Sequence, residues 1–145
     1  MKALRPLFDA RLTVVPEVKE PRLKIPRSPI ILAVTGGRDY RDEPRIHSKL
    51  DKYHERYRFT HLLHGGATGL DTIADEWCDT KRGVQSVKCR AHWNRDGNKA
   101  AGPLRNDMMA ILRPIVLLSF PGGTGTAGMT ALCRSYGIKV ITIKR

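Results

Sequence analysis

Five short strand-like runs alternate with four amphipathic stretches between Ile30 and the C-terminus, and no other feature restricts the fold as tightly. The runs are Ile30–Val34, His61–His64, Val84–Cys89, Ile115–Phe120 and Ile138–Ile143. Ile30–Val34 is apolar throughout and Ile115–Phe120 nearly so, and both read as strands buried on both faces, as in a parallel sheet. The stretches between them carry helical spacing. Ile46, Leu50, Tyr53 and Tyr57 share one face, as do Leu70, Ile73, Ala74, Trp77 and Cys78. Leu104, Met108, Ile111 and Leu112 mark a third helix, with Pro103 in its first turn after a polar loop from Arg90 to Ala101. Met129, Leu132, Cys133 and Tyr136 mark a fourth, with Gly137 placed to stop it. Strict alternation implies right-handed crossovers and helices on both faces. The expected fold is therefore α/β: a Rossmann-like, doubly wound parallel sheet of about five strands in the order 3-2-1-4-5.

Residues 1–29 do not share this pattern. Pro6, Pro16, Pro21, Pro26 and Pro29 interrupt the segment, and Lys/Arg outnumber Asp/Glu seven to three. Proline continues neither a helix interior nor a central strand. The segment reads as a basic arm, extended or laid on the domain surface, with Leu12–Val15 as a possible short edge strand. Residues 30–145 form the domain. Cys78, Cys89 and Cys133 have neither the even count of a disulfide framework nor the spacing of a zinc site, so reduced thiols are expected and no metal. Lacking a signal-peptide core and a membrane-length apolar run, the chain is expected in the cytoplasm, with no membrane partner. The net charge of +12 favours anionic partners, phosphate ligands and nucleic acid alike.

The chemistry gathers after the strands, where α/β sheets bind ligands. The first strand ends in Gly36-Gly37-Arg38-Asp39 and the second in His64-Gly65-Gly66-Ala67-Thr68-Gly69-Leu70-Asp71. The fourth ends in Pro121-Gly122-Gly123-Thr124-Gly125-Thr126. Trp93 and Ala101-Gly102-Pro103-Leu104-Arg105-Asn106 follow the third. Glycine lets backbone N–H groups approach an anion, and a helix start adds unpaired donors. Neither a Walker A motif nor the Gly-x-Gly-x-x-Gly dinucleotide pattern is present, which argues against ATP hydrolysis and hydride transfer and for no cofactor.

Residue by residue, each functional reading stands beside a structural one. Arg105 reads as a bidentate phosphate clamp or as a solvated helix residue. Asp71 favours its helix dipole or accepts ribose hydroxyls. Arg38 reaches a ligand or pairs with Asp39, and Trp93 stacks on a base or packs. Thr124 and Thr126 donate to phosphate or cap the following helix. His61 and His64 fall on opposite strand faces and make poor joint metal ligands; His64 is expected to support its loop by a hydrogen bond.

These motifs, in this order from Ile30 to the C-terminus, resemble the YspA-type branch of the SLOG superfamily. The resemblance implies binding or sensing of nucleotides or nucleotide-derived molecules, ADP-ribose-like compounds included, on the glycine-rich loops. Gly36, Gly37, Arg38, Gly65, Gly66, Ala67, Asp71, Trp93, Arg105, Asn106, Gly122, Gly123, Thr124, Gly125 and Thr126 are the implied ligand-binding set. Proteins of this type occur in bacteria and their phages. Relatives include the Lonely Guy phosphoribohydrolases, so N-glycosidic hydrolysis of nucleotides is the alternative. A DNA-processing relative makes nucleic-acid binding a second alternative. The hydrolases carry glutamates on the helix after the Pro-Gly-Gly-x-Gly-Thr loop, where this chain has Gly128 and Met129. The catalytic group is thus unknown, with Asp71 or Asp39 as weak candidates. The resemblance also implies a possible homodimer, for which Tyr53, Tyr57, Met108 and Met109 are the expected apolar surface.

Overall fold

The computed structural model describes residues 28–80 and 83–145, without the side chains of residues 93–98. The N-terminal arm and the strand expected over Leu12–Val15 lie outside the described residues. The elements are β1 (Ile31–Thr35), α1 (Glu43–Tyr57), β2 (His61–His64), α2 (Leu70–Asp79), β3 (Gln85–Lys88), α3 (Trp93–Ile111), β4 (Val116–Ser119), α4 (Thr124–Ser135) and β5 (Lys139–Thr142). The sheet order is β3-β2-β1-β4-β5, with every pairing parallel, as the alternation requires.

Strand burial follows position in the sheet. Every residue of β4 is buried, and Leu32, Ala33 and Val34 fill the middle of β1. The edge strands β3 and β5 leave both ends exposed. Alternation along β1 sends Leu32 and Val34 into a core with Ile46 and Leu50 of α1 and Leu70 and Trp77 of α2. Ala33 points the other way, into a smaller core with Met109 of α3 and Met129 and Cys133 of α4. Two helices therefore cover each face.

Local chemistry sets the helix ends. The Asp42 carboxylate accepts from Arg45 N–H, and Pro44 sits in the first turn of α1. Gly137, at φ 73°, follows α4. Burial pushes the thiols of Cys78 and Cys133 up to about 12 and about 11, so both act as small apolar side chains.

The structure corrects one sequence expectation. The Arg90–Ala101 loop is not a loop along its length: α3 begins at Trp93 and runs through Gly97, Gly102 and Pro103 to Ile111. Proline removes a helical hydrogen bond and normally breaks a helix. Here Pro103 and Lys99, whose carbonyl loses its partner, are both exposed, so water can take the freed acceptor. Ala101–Asn106 consequently lie inside a helix rather than at its start. Arg105 has no helix N-terminus beside it and acts through its guanidinium alone.

Candidate functional site

The carboxyl ends of the strands open into a cleft of about 800 Å³. Its walls are the β1 loop, the β2 loop, the middle of α3 and the first turns of α4. The loops are tied together by backbone. Gly37 N–H donates to Pro121 O at 2.8 Å, joining the β1 and β4 loops. Gly69, at φ 76°, brings the start of α2 against the β1 loop, where a Cβ would stand 2.2 Å from Arg38 O. Leu70 N–H reaches Gly37 O at 3.4 Å.

At one pole of the cleft stands the start of α4. Gly123 is its N-cap; it supplies no side-chain cap, and no acid occupies the first turn. The first amide to find a carbonyl there is Ala127, bonded to Gly123 O. The amides of Thr124, Gly125 and Thr126 precede it and have no helical acceptor by the geometry of a helix start. All three residues line the cleft. Uncapped donors and the positive end of the helix give this pole a positive potential. Gly123 leaves open space at its Cβ position, and its φ of −100° is one any residue adopts.

The β2 loop has a different chemistry, despite equal glycine content. Gly66 N–H donates to His64 Nδ1 at 3.0 Å and Ala67 N–H to Asp71 Oδ2 at 3.2 Å. The Gly65 amide also favours the ionised Asp71 carboxylate. These amides are committed within the chain, so the loop presents the Asp71 carboxylate instead of free donors. Burial pushes the Asp71 carboxyl above the usual carboxylate range, against the amides of Ala67 and Gly65 and the charges of His64 and Arg105.

Arg105 crosses between the poles. Its Nη1 donates to Gly65 O at 3.1 Å and its Nε to Asn106 Oδ1 at 2.9 Å. The guanidinium lies over Gly65, so a Cβ there would push Arg105 out of its present position. Asn106 in turn reaches Gly125 O at 3.5 Å, linking α3 to α4.

Of the residues expected from sequence, Gly36, Gly37, Arg38, Gly65, Ala67, Asp71, Arg105, Asn106, Gly123, Thr124, Gly125 and Thr126 line this one cleft. Gly66 and Gly122 stand behind it. Gly122 packs on Thr126 and Gly37, and Gly66 on the Lys88 stem. Trp93 lies in α3, not in a loop, and its side chain is not described. Sequence reading passed over Val34, Thr35, Asp107, Met109 and Leu132, which also line the cleft. Val34, Met109 and Leu132 are apolar and carried only packing signals, for the core or a dimer surface, and Thr35 read as the end of its strand. Asp107 had a signal, since it directly follows Asn106.

Residues 30–95 match the family described as YAcAr, the YspA, cpYpsA-related SLOG family. The Gene 61 protein of Mycobacterium phage D29 is 36% identical over 115 residues, covering 74% of this chain and 91% of that protein. The chain belongs to the YspA, cpYpsA-related SLOG family. No solved structure matches it. The family match spans the β1 and β2 loops, whereas the start of α4 lies beyond it. In this SLOG chain Gly128 lines the cleft and Met129 is buried in the core. The glutamates implied by the phosphoribohydrolase resemblance thus have no counterpart there, and the carboxylates on the cleft wall are Asp39, Asp71 and Asp107. Among the described residues, no helix is long and apolar enough to cross a membrane. Nor is any group of three or more His, Cys, Asp or Glu placed to hold a metal ion.

Proposed function

We propose that the cleft binds a nucleoside phosphate or an ADP-ribose-like molecule. One observation carries this reading: the uncapped start of α4 and the Asp71 carboxylate share the walls of one cleft. Phosphate accepts from the amides of Thr124, Gly125 and Thr126 and from Arg105. Ribose hydroxyls donate to Asp71, the role acidic residues take in dinucleotide sites. The volume of the cleft suits ligands of this size.

A thermal-shift series with nucleosides, nucleotides and ADP-ribose tests the reading. A ligand at ~100 times its Kd stabilises the fold by roughly 2.7 kcal/mol. No shift with any phosphorylated compound at millimolar concentration overturns it. Gly123→Val sharpens the test. Its side chain meets open space and an unstrained backbone, so stability is expected to hold. The added methyls fill the approach to the α4 amides, so phosphate ligands are expected to weaken at least about tenfold, the 1.4 kcal/mol of about one lost hydrogen bond.

Hydrolysis of the N-glycosidic bond is the second reading, favoured by the raised Asp71 carboxyl. A cleft carboxyl whose proton affinity is raised by burial is suited to general-acid work. Multiple-turnover release of free base from nucleoside monophosphates, abolished in Asp71→Asn, would replace the binding reading with this one.

We also propose that the chain pairs through α3. Tyr53 and Met109, expected on such a surface, are core residues with 7% and 2% exposure. Met108 is exposed as expected, and among the described residues Leu104 and Ile111 of α3, Leu112 at its C-cap and Ile115 beyond it are exposed with it, while exposed Tyr136 follows α4. A stripe on one helix is complementary to itself across a two-fold axis. Light scattering at micromolar concentration is expected to give a dimer mass, and Ile111→Asp, at an exposed position, a monomer mass. A monomer mass for the unaltered chain removes this proposal.

A further inference from the structure

His64 does not line the cleft, yet it is fully buried directly beneath it. Its ring is held at both nitrogens. Nδ1 accepts the Gly66 N–H, and an atom that accepts a proton bond cannot carry a proton of its own. Nε2 therefore bears the hydrogen of the neutral ring and faces Ser86 Oγ at 2.8 Å and Asp75 Oδ1 at 3.2 Å. The Ser86 hydroxyl donates to Asp75 Oδ1, which fixes its orientation. This network admits one tautomer of neutral histidine and no imidazolium, because a proton on Nδ1 would confront the Gly66 N–H.

What hangs on Gly66 is the polar wall of the cleft. The preceding residue, Gly65, accepts from Arg105 through its carbonyl. The following residue, Ala67, donates to Asp71. We propose that His64 is a positioning residue for the ligand site, holding Arg105 and Asp71 in register through Gly66 N–H, and that its protonation releases this loop and with it the ligand. The proposal rests on the binding function assigned to the cleft.

The charged groups around the ring are few. Asp71 and Asp75 on α2 favour the imidazolium, and Lys88 on β3 opposes it. Burial outweighs the two carboxylates and holds the ring below its ordinary value of 6.5. The ring is thus neutral at pH 6.5 and above, and the loop is held there. Binding competence is lost as pH falls below 6.5 and through the lowered value.

Two measurements on the full chain test this. The first needs no ligand: nitrogen-15 spectra follow the His64 ring and the Gly66 amide against pH. One shared midpoint below 6.5 is expected, with Nδ1 unprotonated above it. A Gly66 amide that stays fixed while the ring titrates overturns the proposal. The second measures Kd for adenosine 5′-monophosphate and for ADP-ribose between pH 8 and pH 4.5, approximately. If only the neutral form binds, affinity falls about tenfold per pH unit below the midpoint. His64→Asn places an amide oxygen near the Nδ1 position and cannot titrate. It is expected to lack the fall in affinity that sets in below pH 6.5 through His64, and to keep the pH dependence contributed by Asp71 and by the ligand's own phosphate. Identical profiles for the two proteins overturn the proposal. If neither compound binds at any pH, the assigned function fails, and the Gly66 titration alone decides the role of His64. It also decides if His64→Asn does not fold.

Discussion

Arg105→Ala is expected to weaken a nucleoside monophosphate about ten- to hundredfold while leaving the bare nucleoside within a few-fold. A charge-assisted hydrogen bond contributes about 1.5–3 kcal/mol, which sets that range. The geometry adds a second effect. Arg105 also holds Gly65 O and stands among the charges that stabilise ionised Asp71. Without it the Asp71 carboxyl rises further, so the mutant is expected to bind any ligand less well as pH falls, beginning nearer neutrality. Arg105→Lys keeps the charge but loses the fork that reaches both Gly65 O and Asn106 Oδ1. It is expected to fall between the other two proteins. Calorimetry with paired nucleoside and nucleotide reads all three. Equal losses for nucleoside and nucleotide would show that Arg105 braces the loop and does not read phosphate.

Gly69→Val is expected to produce the largest loss of stability of any single change at the cleft. The left-handed backbone at φ 76° costs a side chain roughly 1–2 kcal/mol. The new Cβ would also lie 2.2 Å from Arg38 O and 2.5 Å from the Arg38 carbonyl carbon, and these are backbone atoms that cannot rotate away. Overpacking of this kind adds about 1–3 kcal/mol. Together they should lower the melting temperature by about 5–20 °C, and ligand affinity should fall with it because the β1 and β2 loops part. A melting temperature within 2 °C of the unaltered chain, allowing about 0.5 kcal/mol, would show that the loop junction yields easily. Gly123→Val is the matched control, since it adds the same side chain to the same cleft without strain.

The contrast between these two glycines marks how far sequence reaches. Strand order was legible because strict β-α alternation with right-handed crossovers leads to a doubly wound sheet, for which 3-2-1-4-5 is a recurring order. The cleft was legible because the glycine clusters fall where strands end. The length of α3 was not. Gly97, Gly102 and Pro103 are local signals against helix, and they are overridden by burial of Ala101, Asn106 and Met109 on one face. Nor does composition separate the two glycine loops. Their difference is made by side chains that approach from elsewhere: His64 at the end of β2 and Asp71 within α2 take the amides of one loop, and among the described residues no side chain takes those at the start of α4. A glycine pattern records that amides can turn inward. It does not record which acceptor they meet.

The placement of β1 between β2 and β4 also has a consequence in time. Leu32 pairs with Leu62 on one side and with Val116 on the other. On a ribosome adding about 5–20 residues per second, the far neighbour arrives roughly 4–17 s after β1 emerges. Until then the three-strand half sheet carries one open, apolar edge, the feature most prone to pair with another chain. The same strand ends in Thr35, against the cleft, so the ligand site cannot close before the last third of the chain is made. A ligand bound as proposed would therefore lack the α4 amides until β4 has docked, and would protect the finished fold more than guide its assembly.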